Sequence, residues 1–318
     1  MIAITGANGF VGRQLVKHAA ELGIPVRGLN RDKLGDLANK LEISSTLFVG
    51  CSVVIHLGAR AHITKEIRGD HGHIYRSTNL NGTKKAFNAA REAGVGRFVF
   101  VSTVKVAGES TKKGAPIQID APARPEGPYA LSKAEAEYWL LAQKGGPEVV
   151  IIRPPLVYGP GVKANMALMR KLVQIGLPLP LAGIDNERSL VSVANLASAL
   201  LHAALHRRAP DHVWVLADGP PLPTIQIIRY MAAALGSRPR LARVPLPVLQ
   251  LIAKAVGRTD SLNRLVGSLA VDDSSFRSIL GWTPLETCKE GLSRMMVADE
   301  QCDVAAPPNY TDGKVEAR

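Results

Sequence analysis

A short apolar run at the start of the chain, Ile2-Ala-Ile4, breaks directly into Thr5-Gly6-Ala7-Asn8-Gly9-Phe10-Val11-Gly12, and a helical stretch, Val11 to Leu22, follows. Three glycines at this spacing leave few structures open. Gly6 allows a tight turn, Gly9 lets backbone amides approach a pyrophosphate at the helix N-terminus, and Gly12 lets that helix lie close to the strand. By itself a glycine triplet is an ordinary turn. Between a strand and a helix it is the pattern that binds a dinucleotide, which makes Gly6, Asn8, Gly9, Phe10, Val11 and Gly12 the first candidate cofactor residues.

The rest of the first half repeats the alternation. Apolar runs at Val26–Leu29, Val53–Leu57, Phe98–Val101 and Val149–Arg153 read as strands, with helices at Leu80–Ala93 and about Pro128–Gln143. Strands made of continuous Val, Ile, Leu and Phe belong to a parallel sheet covered on both faces, so the expectation is a doubly wound α/β layer over 1–153. Beyond Arg153 the chain turns to Pro/Gly-rich loops and short helices, with Val213–Leu216 as a late strand and helices at Thr224–Leu235 and Leu246–Val256. That composition suits a smaller C-terminal substrate-binding lobe over 154–298, some of it returning to the sheet. Residues 299–318, with Pro307-Pro308 and few large apolar residues, read as a flexible tail.

Cysteine and charge narrow the function classes. Cys51, Cys288 and Cys302 are scattered and odd in number, which argues against a disulfide framework and a zinc site. The N-terminus lacks the basic-then-apolar pattern of a signal peptide, and the most apolar stretches, Leu190–Leu205 and Val244–Ala255, are too short to span a bilayer. A cytoplasmic protein without membrane insertion is expected. The 39 Lys+Arg against 27 Asp+Glu give a net charge of +12, concentrated over 163–258, where twelve basic residues meet four acidic ones. Such a surplus attracts an anionic small molecule or is simply a solvated face. Nucleic acid fits less well, because no helix-turn-helix, zinc finger or aromatic interleaving accompanies it.

Three further elements carry chemistry. The second strand ends in Leu29-Asn30-Arg31-Asp32, with no acid in the slot that favours NAD although Asp32 follows closely, and with Arg31 nearby where an arginine can accommodate the phosphate of NADP, so the residues leave both cofactors open. Gly35-Asp36-Leu37 follows so soon that the usual second helix is expected to be missing. Tyr129 and Lys133 are four residues apart and so share a helix face. Tyrosine titrates near 10, and work as a base near neutrality needs a depression of roughly three units, or about 4 kcal/mol. A Lys ammonium beside it, with a nicotinamide's positive charge, can supply that. On an amphipathic helix the pair alone is common. What lifts it is Thr103, at the end of an apolar strand in the right order, where its hydroxyl can hold a carbonyl or alkoxide oxygen.

With these elements, and with His56-Leu-Gly-Ala-Arg60, Asn79-Leu-Asn-Gly-Thr83, Arg153-Pro-Pro-Leu-Val-Tyr-Gly-Pro-Gly161, Arg188-Ser-Leu-Val-Ser-Val and Leu280-Gly-Trp-Thr-Pro284, the chain resembles the extended short-chain dehydrogenase/reductases of the NAD-dependent epimerase/dehydratase family from Ile2 to about Met295. Val101–Ser110 and Arg153–Asn165 look most like bacterial enzymes of surface-polysaccharide synthesis, the UDP-glucose 4-epimerase-like and UDP-N-acetylquinovosamine-forming 4-ketoreductase group. The resemblance implies a Rossmann-type fold, NAD or NADP as cofactor and a UDP-sugar as substrate. It also implies that Asp36 and Leu37 contact adenine, Leu57 and Ala59 line the dinucleotide, Asn79 sits near the nicotinamide-side loop and Pro155 lies against the nicotinamide. Arg188 matches an arginine that binds the UDP diphosphate in similar enzymes, and Lys163 and Asn165 lie on the loop approaching the nucleotide-sugar, where plain loop solvation explains them equally well. Similar enzymes often dimerise through two helices, which would be Leu80–Ala93 and Ala130–Gln143 here; core packing explains their alanines as well.

Two departures stand out. Leu156 replaces an Asn common in similar epimerases, so a diphosphate contact is lost or moves to Asn165; Gly58 replaces a more usual Ala, an exchange expected to be harmless. The catalytic set Thr103, Tyr129 and Lys133 supports hydride transfer at C4 of a UDP-linked hexose or N-acetylhexose. Dehydration needs a further acid/base pair, which similar dehydratases place directly after the Thr; Val104-Lys105 stands there. Epimerase and 4-ketoreductase share the same atoms, and the missing acid at the ribose leans toward NADPH and reduction. A noncatalytic dinucleotide sensor of the same fold is the alternative from another class.

Overall fold

The computed structural model describes residues 1–38, 42–61, 71–255, 257 and 259–298. The expected tail over 299–318 lies outside them. Strands β1 (Ile2–Thr5), β2 (Val26–Leu29), β3 (Val53–His56), β4 (Arg97–Val101), β5 (Glu148–Arg153) and β8 (Val213–Val215) form one sheet in the order β2-β1-β3-β4-β5-β8. Every pair in it is parallel. Between them run α1 (Phe10–Glu21), α2 (Arg31–Leu34), α3 (His71–Tyr75), α4 (Gly82–Glu92), α5 (Gly127–Leu141), α6 (Ala164–Ile175) and α7 (Val193–Leu205). Later come α8 (Thr224–Ala234), α9 (Leu246–Ala255), α10 (Thr259–Val266), α11 (Ser274–Leu280) and α12 (Cys288–Val297), while β6 (Leu156–Tyr158) and β7 (Leu190–Ser192) make a separate parallel pair.

The continuous apolar strands are explained by burial on both faces, and their side chains divide with period two. Ile2, Ile4, Val53, Ile55, Val99, Val150 and Ile152 point to one layer, packed with Leu15, Val16 and Ala19 of α1, with α7 and with Trp214, Phe276 and Trp282. Ala3, Val54, Phe98, Phe100 and Ile151 point to the other, against α4 and α5. Ala86, Ala89, Ala90 and Ala136 are buried in this second layer, so packing within the chain accounts for them. A third cluster, around Tyr158, Ile227, Ile228, Met231, Leu292 and Met295, holds the later helices together.

Two local readings change. One turn of helix, α2, does stand in the segment where the second helix was expected to be missing, capped by the Asn30 side chain, which accepts from Lys33 N at 3.2 Å. The stretch read as a helix from Leu80 begins earlier, with a π-turn over Arg76–Asn81 that runs into α4. Strand order reverses between β1 and β3, and in such sheets ligands collect in the crevice at the carboxyl ends of the strands. Thr5, His56 and Val101 end there.

Candidate active site

The glycine turn is shaped by close approach. Gly6 has φ +71°, and Gly9 N donates to Gly6 O at 2.9 Å. A Cβ on Gly12 would run into Gly6 O and stand 2.6 Å from Ala7 O, so only glycine lets α1 start this near the strand. The helix opens at Gly9 with no side-chain cap, so its positive end is left to an outside anion. The turn is braced from behind: Thr5 Oγ1 lies 2.8 Å from His56 Nδ1 and accepts from Gly58 N at 3.2 Å. This bare cradle fits a dinucleotide pyrophosphate.

Around it, Asn8 and Ala59 are exposed, Phe10, Val11 and Leu57 half-buried, and Pro155 buried. Arg31 and Asp36 are exposed, with Asp36 Oδ1 accepting from Ala38 N at 3.0 Å. Leu37 reaches back to the loop after β3: a Cβ on Gly58 would fall 2.7 Å from Leu37 Cδ1, and one on Gly82 2.8 Å from Leu37 Cβ. At Gly58 an added methyl would meet only the far end of the flexible Leu37 side chain. Asn79 is fully buried and its amide is used locally. It accepts from Arg60 N at 2.8 Å and donates to Arg60 O at 3.1 Å and Ser132 Oγ at 3.0 Å, fastening the loop after β3 to α5.

Tyr129 stands in the first turn of α5, which Gly127 and Pro128 start. Its hydroxyl lies near enough to the Thr103 hydroxyl for that group to favour the phenolate, and its ring meets Tyr75 edge-on at 5.7 Å. Thr103 follows β4 and caps a 3-10 turn over Val104–Val106. Lys133, one turn along α5, is 1% exposed, with Nζ 3.9 Å over the Phe100 ring. The chain's own groups raise the tyrosine, which leaves its depression to the nicotinamide's charge: burial and the neighbouring Tyr75 push the Tyr129 phenol up to about 12, and Thr103 offsets only part of this. Lys133 is instead pushed down to about 7, because burial outweighs the pull of Glu137.

Beneath this pair lie groups with no predicted role. His56, stacked on Phe98 and Phe100, is held neutral, at about 3, by burial and then by Lys133. Glu137, the next turn after Lys133, is joined to Arg153 through Nη2 at 2.6 Å and Nε at 3.0 Å, and Arg153 Nη1 donates to Ala121 O at 2.7 Å. Both side chains are 4% exposed. The spacing 129, 133, 137 places all three on one helix face, and that signal was available in the sequence. The partner strand was not.

On the substrate side, Arg188 is half-buried and fixed by its backbone, which exchanges hydrogen bonds with Leu222 at 2.9 Å. Burial lowers it and the charge of Glu109 raises it. Lys163 and Asn165 are exposed at the start of α6. Among the described residues no hydrogen bond joins either of them to Arg188. The structure thus brings Thr103 near Tyr129, and places Lys163 and Asn165 together at the start of α6 with Arg188 on a different element, just before β7.

The model of the NAD dependent epimerase/dehydratase family matches residues 2–217. A UDP-glucose 4-epimerase of Vibrio cholerae is 38% identical over 307 residues, covering 92% of this chain and 93% of its own. Among solved structures, MoeE5 in complex with UDP-glucose and NAD superposes with a TM-score of 0.71 at 25% identity, covering 93% of this chain and 97% of its own. RMD from Pseudomonas aeruginosa, complexed with NADPH, superposes with a TM-score of 0.73 at 22% identity over the same shares, a likeness of fold.

Proposed function

This chain belongs to the NAD dependent epimerase/dehydratase family, and from that premise we propose that it moves hydride at C4 of a UDP-linked hexose or N-acetylhexose, as a 4-epimerase or 4-ketoreductase of surface-polysaccharide sugar synthesis. The observation that carries the reading is that Thr103, at the carboxyl end of β4, lies near enough to the Tyr129 phenol to lower its titration, with Lys133 buried one turn away. A nicotinamide dinucleotide, held by the Gly6–Gly12 cradle, supplies the hydride acceptor and donor when bound. Thr103 holds the C4 oxygen while Tyr129 passes a proton to it or takes one from it. Lys133 carries the charge that stabilises the phenolate, and Arg188 is the cation proposed for the diphosphate.

The 4-epimerase reading draws support from the Vibrio cholerae relative. For the 4-ketoreductase, Asn30 and Arg31 follow β2 and Asp32 comes next in the first turn of α2, an arrangement that suits NADPH as well as NADH.

Purified protein supplied with a UDP-4-keto-6-deoxy-N-acetylhexosamine consumes reduced cofactor stoichiometrically if it is the reductase. With UDP-N-acetylglucosamine, appearance of the 4-epimer without net change in cofactor absorbance identifies the epimerase. Tyr129→Phe lowers turnover by roughly 10²–10⁴-fold with dinucleotide binding retained. Full turnover in that variant would refute the mechanism and favour the noncatalytic alternative.

A further inference from the structure

Residues 219–259 hold six basic side chains, Arg229, Arg238, Arg240, Arg243, Lys254 and Arg258, and not one Asp or Glu. Within this stretch α9 is nearly all apolar, yet only Leu249 and Ala253 are buried. Leu251 lies about 200° around the helix from Leu249. It is 70% exposed, and Val248 and Ile252, on the same side, are 45% and 54% exposed. The chain entering α9 is held in place: Leu179 N donates to Arg240 O at 2.8 Å, and Ala242 N donates to Leu179 O at 2.9 Å. Arg238, Arg240 and Arg243 are exposed before the helix, and Lys254 is exposed in its last turn.

We propose that the outer face of α9 and the basic residues at its two ends form a docking surface for an anionic lipid bilayer. The helix lies in the plane of the headgroups, with Val248, Leu251 and Ile252 dipping toward the acyl chains and the arginines and Lys254 on the phosphates. An apolar face flanked by Lys and Arg is what interfacial helices use. It does not span: α9 has ten residues, about half of what a bilayer core requires. Charge selects this occupant over a second copy of the chain. A twofold contact sets a patch against itself, and these arginines would then face their own copies with no acid in 219–259 to pair with. Proximity to a membrane would suit an enzyme whose sugar is consumed there, but the surface is argued independently of the proposed reaction.

The test is sedimentation of the full chain with vesicles containing phosphatidylglycerol and, separately, with vesicles of phosphatidylcholine alone. Binding to the anionic vesicles, released by salt, is expected. Leu251→Glu with Ile252→Glu abolishes it. Arg240→Gln lowers the partition about fivefold, the factor that about 1 kcal/mol per surface cation corresponds to. These exposed substitutions leave the unfolding temperature in place. Absence of binding by the parent chain, equal binding to both vesicle types, or binding kept by the Leu251/Ile252 variant each overturns the proposal. So does a concentration-dependent dimer that those two substitutions dissolve while no vesicle binding is seen, which would assign the face to a second copy.

Discussion

Replacing Glu137 by Gln tests how the scaffold supports the catalytic helix. The change keeps the side chain's shape but leaves the Arg153 guanidinium charged and uncompensated where both partners are 4% exposed. Breaking one side of a buried pair of this kind costs about 3–5 kcal/mol, which in a chain of this length is roughly a 4–8 °C fall in the unfolding midpoint. A second effect reaches the site. The charge of Glu137 is what holds Lys133 up against burial, so its removal moves Lys133 below about 7. Lys133 then loses its proton at lower pH, and the alkaline limb of the pH–rate profile shifts to lower pH. Scanning calorimetry and a pH–rate profile on the same preparation read the two effects separately. The double variant Glu137→Leu with Arg153→Met, which removes both charges, should recover most of the lost stability, short of the unpaired Ala121 carbonyl. If Glu137→Gln melts with the parent, or if the double variant is no better than the single one, the buried-charge reasoning is wrong.

Gly12→Ala drives a Cβ into Gly6 O and within 2.6 Å of Ala7 O, so the first turn of α1 must retreat by about 1 Å to reach ordinary contact, and dinucleotide affinity by fluorescence titration should fall on the order of tenfold or more. Asp218, buried and bonded to Tyr158, Asn195 and the Ser192 amide, is raised to about 6, chiefly by burial. A carboxyl raised in the folded state contributes stability that is present below its unfolded value and is lost as pH rises through the folded one. Relative to Asp218→Asn, the parent should therefore gain about 2 kcal/mol between pH 7.5 and 4.5 in urea unfolding, and a constant difference would refute the assignment. Gly58→Ala requires only the end of the flexible Leu37 side chain to move, so dinucleotide affinity by fluorescence titration should stay within a few-fold of the parent, and a loss on the order of tenfold would show that Leu37 is held rigidly.

Much of the sheet was written in the order of residues. A strand buried on both faces must be apolar at every position, and helices between such strands must carry one apolar stripe, so β1 to β5 and their helices could be read from hydrophobic runs alone. Gly6 and Gly12 announced the cofactor turn, because the one takes a positive φ and the other has no room for a Cβ. The spacing of Tyr129 and Lys133 fixed their common face because helix geometry is local. Short strands such as β6 and β7 escaped, since three residues carry no period. What sequence could not supply was anything set by distant segments meeting. The Arg153 guanidinium finds Glu137 only because β5 lies beside α5; His56 slides under Lys133 only because its strand parity turns it toward Phe98 and Phe100. The titration of the catalytic pair belongs to the same class: it depends on how much water is excluded around Tyr129 and Lys133, a property of the packed layers and not of either residue's neighbours in the chain.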